Sequence, residues 1–219
     1  KKEDNRVYSL FKEYMMMFIL IAFSMCLTFM IGIRGFITVW VGKENYILDY
    51  LTVILFSLTS FLNILYFPLV AIINADGLFK DNKKHIFICS LTNLVLSILL
   101  ISNFGINGIL FGTAISFILN IVLKSNLIVK KIINNVKIFS ILKYYIISLV
   151  TFIIFAIILS PIESYFLATS DGFIITILKL GLIFIIITLL TSLVLYAISN
   201  NAKNLFTRLF NLLKSKLKR

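Results

Sequence analysis

Few residues in this chain carry chemistry, and they are widely spaced. Gly108, Gly112, Ser116, Asn120 and Lys124 recur at every fourth position, which places them on one face of a helix. Small side chains there let a second helix approach closely, and in lipid such contact is the main packing force. Alternatively, Asn120 and Lys124 line a polar cavity near the helix end. Weaker stripes run through Ser90, Asn93 and Ser97, and through Ser57, Ser60 and Asn63 ahead of Pro68. Three ionisable groups lie in or beside apolar stretches: Arg34, Glu163 (expected in a loop after Pro161) and Lys179. Arg34 reads as an interfacial anchor. Lys179 either snorkels to the surface or faces a cavity or a counter-charge, since intramembrane charge is costly and usually functional.

Bond-making chemistry has no support. There is no nucleophile elbow, no phosphate loop and no cluster of His, Cys and Asp at ligand spacing. The lone His85 has no metal-ligand companions, and Cys26 and Cys89 read as small apolar packing residues. The chain is expected to be no enzyme and to need no metal or cofactor. Its chemistry is that of binding and positioning.

The elements that must hold these groups are membrane helices. Of 219 residues, 60% are hydrophobic and 14% are charged, and the mean hydropathy is +1.05. A signal peptide would be one short apolar run, and a transmembrane barrel would alternate apolar and polar residues in short segments. Here six stretches approach or exceed the roughly 20 apolar residues that cross a bilayer. They are expected at 14–33, 50–73, 85–102, 105–129, 140–160 and 172–198. The fold class is therefore all-α, a polytopic helical membrane protein with six transmembrane helices. Around them the chain divides into a connector at 1–13, four helices within 14–131, two more within 132–198 and a basic tail at 199–219.

Charge orients the bundle. Eighteen of the twenty-one Lys and Arg residues fall in the N-terminal segment, around 80–84, between 124 and 143, and after 202. A six-span path puts all of these on one side. Arg34 and Lys43 lie on the other side, and Lys179 is inside the last span. Basic residues are retained on the cytoplasmic side while acids contribute little, so both termini are expected in the cytoplasm. The net charge of +12 is explained by topology and needs no nucleic acid. In the tail, Leu205, Phe206, Leu209, Phe210, Leu213 and Leu217 share a face opposite Arg208, Lys214 and Lys218. Such a helix can lie on the membrane, held by anionic lipids; the other reading is a solvated basic tail.

One ordered set of strings resembles a known family. ITVWVGKENYIL contains Trp40 and Gly42, and INADGLFKD contains Ala75, Asp76, Gly77, Leu78 and Phe79. NLVLSILL starts at Asn93, FGING carries Gly105 and Gly108, and Gly112–Thr113 follows. Over about Tyr14 to Lys131 this order is similar to the polysaccharide flippase (oligosaccharide-lipid exporter) family, in the multidrug/oligosaccharidyl-lipid/polysaccharide transporter superfamily. The resemblance implies the C-terminal part of a two-lobed transporter of twelve to fourteen helices. The substrate would be a lipid-linked oligosaccharide, polyprenyl-pyrophosphate-borne, for capsule, O-antigen or another surface polysaccharide, moved across the bacterial inner membrane. It also implies that the final two helices form a lipid-tail groove, with Lys179 near its outer mouth. The chain starts at Lys1, so the remaining partners are expected to be missing N-terminal helices of the same chain or a partner subunit. Two other readings stand beside this one: a six-span membrane interaction protein or half-sized subunit, and a small-molecule exporter of the same superfamily.

Overall fold

The computed structural model describes residues 2–42, 47–168, 172–198, 202–203 and 205–208. Six helices follow one another: α1 (Lys2–Val41), α2 (Tyr50–Ala75), α3 (Phe79–Phe104), α4 (Ile106–Lys131), α5 (Ile138–Ala168) and α6 (Phe173–Ile198). The described residues contain no strand. Each helix is long and apolar enough to cross a membrane. At 1.5 Å per residue, a 26-residue helix such as α3 spans about 39 Å, against a hydrocarbon core of about 30 Å. All six expected spans are present, and the helices overrun them at most ends. The connector expected at 1–13 is helical from Lys2 and continuous with the first span, so α1 runs for 40 residues.

Burial separates inner from outer helices. α1 and α2 carry the core, with Met15, Ala22, Leu27, Met30, Phe61, Leu65 and Leu69 nearly inaccessible. An aromatic knot joins α1, α2 and α5: Phe61 stacks on Phe152 with ring centroids 4.2 Å apart, and Phe23 meets both edge-on. α3 and α6 turn their large apolar side chains outward, as at Leu94, Ile98, Leu99, Ile174 and Leu193. In water such a surface would far exceed the apolar patches a monomer tolerates; in lipid it is correctly solvated. The chain is a multi-pass membrane protein.

Contacts along the helices fix an up-and-down path. α3 and α4 pair antiparallel, with Leu100 beside Gly108, Ser97 beside Gly112 and Cys89 beside Ser116. α1 and α5 run parallel, from Tyr8 and Ser140 at one end to Arg34 and Glu163 at the other. Among the described residues α5 and α6 each lean on α1, and no Cα of one comes within 8 Å of a Cα of the other. The lysine-rich segments thereby gather at one end of the bundle, where Asp81 meets Lys131 and Glu13 meets Arg208.

Two turns depend on glycine. Gly77 (φ +70°) follows α2 in a Schellman cap: its N–H donates to Asn74 O and the Leu78 N–H to Ile73 O. Both bonds satisfy carbonyls that the helix end leaves open, so the ADGLF string is a helix stop. Gly105 (φ +55°) alone separates α3 from α4. The expected small-residue ladder does pack α4 on α3. A Cβ at Gly108 would sit 2.4 Å from the Leu100 carbonyl oxygen, whereas one at Gly181 on α6 meets nothing within 4 Å.

The two glycines should therefore respond in opposite ways to alanine. Gly108→Ala is expected to destabilise the protein by about 1–3 kcal/mol through overpacking. Gly181→Ala should be neutral or slightly stabilising, because alanine is the better helix former. Thermal unfolding of both variants in one detergent checks this, and equal midpoints would remove the close-contact explanation.

Candidate functional site

Three polar clusters interrupt the apolar bundle. At the lysine-poor end, the Arg34 guanidinium donates to Glu163 Oε1 at 3.0 Å, tying α1 to α5. Glu163 is only 2% exposed. It lies within α5, which continues through Pro161 to Ala168, and not in the loop expected from the sequence. The helix survives Pro161 and so carries the carboxylate inward to the arginine. The Tyr50 hydroxyl, at the start of α2, faces Ser160, Glu163 and Arg34. Arg34 is thus an anchor to another helix as well as an end-of-span residue.

Beside it, Asp49 caps α2, accepting from the Thr52 N–H at 3.1 Å and from the Thr52 hydroxyl. The same hydroxyl is 2.8 Å from the Asn107 amide at the start of α4. The Thr52 hydroxyl stabilises the carboxylate form and holds Asp49 below its usual pKa.

The third cluster lies toward the lysine-rich end, between α2, α3 and α4. Lys124 is fully buried and donates to Asn82 Oδ1 at 2.6 Å, with its ammonium 5.2 Å from the centre of the Tyr66 ring. No carboxylate pairs with it among the described residues. An ammonium has three donors, so one amide and one ring face leave it under-satisfied. Orphan acceptors lie nearby in the sequence: Asn120 Oδ1, one turn before Lys124, and the adjacent Ser125 hydroxyl have no hydrogen-bond partner among the described residues. The structure places Lys124 inside a three-helix contact, not on an open cavity wall. Asn82 was missed in the sequence, where it reads as one more polar residue of a charged loop. Its only signal was a position one turn inside an apolar helix.

The remaining candidates are dispersed. Asn93 accepts from Ser97 at 3.0 Å, with the Thr113 hydroxyl 3.4 Å away, so this motif pair joins α3 to α4. Trp40 is exposed at the end of α1, Gly42 follows it with φ +65°, and Ala75, Asp76 and Phe79 are exposed around the α2 stop. Asn63 is half-buried in α2 and Lys179 is half-buried in α6, beside the Leu180 that packs on Gly32. His85 lies inside α3, and both thiols are buried and free. No metal-ligand group is formed among the described residues. In the tail, Leu205 and Phe206 are half-buried while Leu209, Phe210, Leu213, Lys214, Leu217 and Lys218 lie outside the described residues.

Two outcomes test these clusters. Breaking a buried pair strands its partner, so Glu163→Gln is expected to cost on the order of 3 kcal/mol. A double-mutant cycle with Arg34→Gln should show coupling, and additive losses would mean the pair contributes nothing. Asp49→Ala should cost about 1 kcal/mol at neutral pH through the lost cap. A carboxylate pKa lowered by folding contributes above the unfolded value of about 3.9 and fades as pH falls through the folded value. The gap between wild type and Asp49→Ala should therefore be flat from neutral pH down to about 5 and shrink below about 4. Melting curves across that range check it. Scans of protein-family models, curated proteins and solved structures found no match to this chain.

Proposed function

We propose that the chain forms the C-terminal lobe of a flippase that moves polyprenyl-pyrophosphate-linked oligosaccharide repeat units across a bacterial cytoplasmic membrane, for a surface polysaccharide. The observation that carries this is the ordered run from Trp40 through Asp76–Gly77, Asn93, Gly105 and Gly108 to Thr113. Several of these positions have structural tasks: Gly77 and Gly105 make turns, and Gly108, Asn93 and Thr113 bind α3 to α4. A motif made of turn and packing residues is what a shared helical scaffold would keep. The lysine-rich end faces the cytoplasm, because basic loops resist translocation.

In this reading the headgroup passes through a cavity between two lobes, with rigid-body rocking giving alternating access. The prenyl tail stays in the membrane. The separation of α5 from α6 across α1 supports a tail groove, since apolar side chains such as Ile157 and Ile158 on α5 and Leu178 and Leu182 on α6 stay exposed. Lys124 supplies the cation toward the inner end, and its unmet donors reach a phosphate oxygen when the contact of α2, α3 and α4 that buries it opens during the cycle.

Deletion of the gene tests this directly. Lipid-linked repeat units should accumulate on the inner leaflet. A copy with both Lys124→Met and Asn82→Leu should restore protein level, since replacing both partners of a buried polar pair with apolar residues is often neutral for folding, while export stays at least about tenfold below wild type. Normal export with loss of a membrane complex would point to an interaction protein or half-sized subunit. Lost drug resistance with normal polysaccharide would point to a small-molecule exporter.

A further inference from the structure

A groove opens at the lysine-rich end, away from the clusters above. It has a cavity volume of about 390 Å³, within the range of about 300–1,000 Å³ usual for ligand sites. Its walls are Leu10, Phe11, Met17, Ile72 and Leu205, from α1, α2 and the segment after α6. Two charges break this apolar lining, Glu13 and Arg208. The Glu13 side chain is 8% exposed and that of Arg208 is 56% exposed, and their charged atoms are 3.1 Å apart. Despite that distance, Glu13 Oε2 has no aligned hydrogen bond among the described residues. A buried carboxylate whose one charge partner is misaligned is poorly satisfied, and here it lines an apolar groove. Its charge partner stands at the mouth.

We infer that this groove binds a phospholipid whose headgroup carries a primary amine. The ammonium donates to Glu13 Oε2 in place of the misaligned guanidinium, and the lipid phosphate accepts from the Arg208 guanidinium, which is suited to phosphate geometry. The first part of an acyl chain lies along Leu10, Met17 and Ile72. Charge order selects the ligand: acid within and base at the mouth match a head with the amine beyond the phosphate. A headgroup with no cation offers Glu13 nothing beyond the misaligned Arg208. A trimethylated amine fills the space but has no N–H to donate. The site requires no transport and holds whether or not the chain is a flippase.

Native mass spectrometry of the detergent-purified 219-residue chain tests this with dioleoyl phosphatidylethanolamine, its N-methylated derivatives up to phosphatidylcholine, and phosphatidylglycerol. Wild type should prefer phosphatidylethanolamine over phosphatidylcholine by about tenfold, the worth of one charge-assisted hydrogen bond. Binding should fall with each added methyl group. Glu13→Gln should abolish the preference, and Arg208→Gln should weaken phosphatidylethanolamine and phosphatidylcholine alike. Equal binding of the amine series by wild type would overturn the site without any variant. So would strongest binding of phosphatidylglycerol that Glu13→Gln leaves unchanged, which would assign lipid binding to the basic tail. A Glu13→Gln protein that retains helical circular dichroism and the full preference would overturn it as well.

Discussion

A bilayer interior offers no water to a stray polar group, and the architecture of this chain follows from that. Every backbone N–H and C=O within the hydrocarbon must be satisfied internally, which leaves helices for a six-pass chain of this composition. The same constraint decides where side-chain polarity can stand. Glu163 lies on Arg34, Asn93 is met by Ser97 with Thr113 close by, and Ser116 donates to a carbonyl of α3. Each is a local solution to one missing solvent, and each ties or narrows a helix contact. Lys124 and Glu13 are two buried charges for which the solution is incomplete among the described residues, and for that reason they carry the functional proposals.

Without a hydrophobic drive between helices, packing rests on close contact and on a few polar ties. The bundle uses both in different places. α3 and α4 approach through Gly108 and Gly112, where even a methyl group would press on the opposing backbone. α1, α2 and α5 instead interlock bulky rings around Phe23, Phe61 and Phe152. Small-residue contact gives a tight hairpin that leans on α2 mainly through α4, so α3 stays almost wholly exposed. α6 is similarly peripheral, held to α1 near Gly32 and by Phe36 against Phe173. An inner pair with outer helices attached on single faces leaves lateral openings toward lipid.

The polar clusters sort by end. The lysine-poor end is pinned by Arg34–Glu163 and by the Asp49 cap shared with Thr52 and Asn107. The lysine-rich end holds Lys124 on Asn82, and the groove at Glu13 and Arg208. The first end centres on a carboxylate–guanidinium pair and a capped helix; the second contains a cation with one amide and an acid with a misaligned base. Buried charges without a well-aligned opposite charge make the second end the one suited to polar ligands.

Much of the fold was legible in the residues themselves. Apolar runs of spanning length determined six helices, their rough limits and the grouping of lysines on one side, because the cost of placing a charge in lipid acts residue by residue. Fourfold spacing from Gly108 to Lys124 marked a packing face, and Asp76–Gly77 a turn, since both depend on local geometry. Only the tertiary structure decided partners. Glu163 was placed in a loop because proline usually ends a helix, yet α5 runs through Pro161 and brings the acid to Arg34, 129 positions away. Asn82 was unremarked because an amide near lysines looks solvated, until α4 carries Lys124 onto it. Glu13 passed as part of a charged connector, until the segment after α6 returned beside α1 and closed a groove over it. Spanning is a property each segment has alone, whereas burial, pairing and cavities are made by segments meeting.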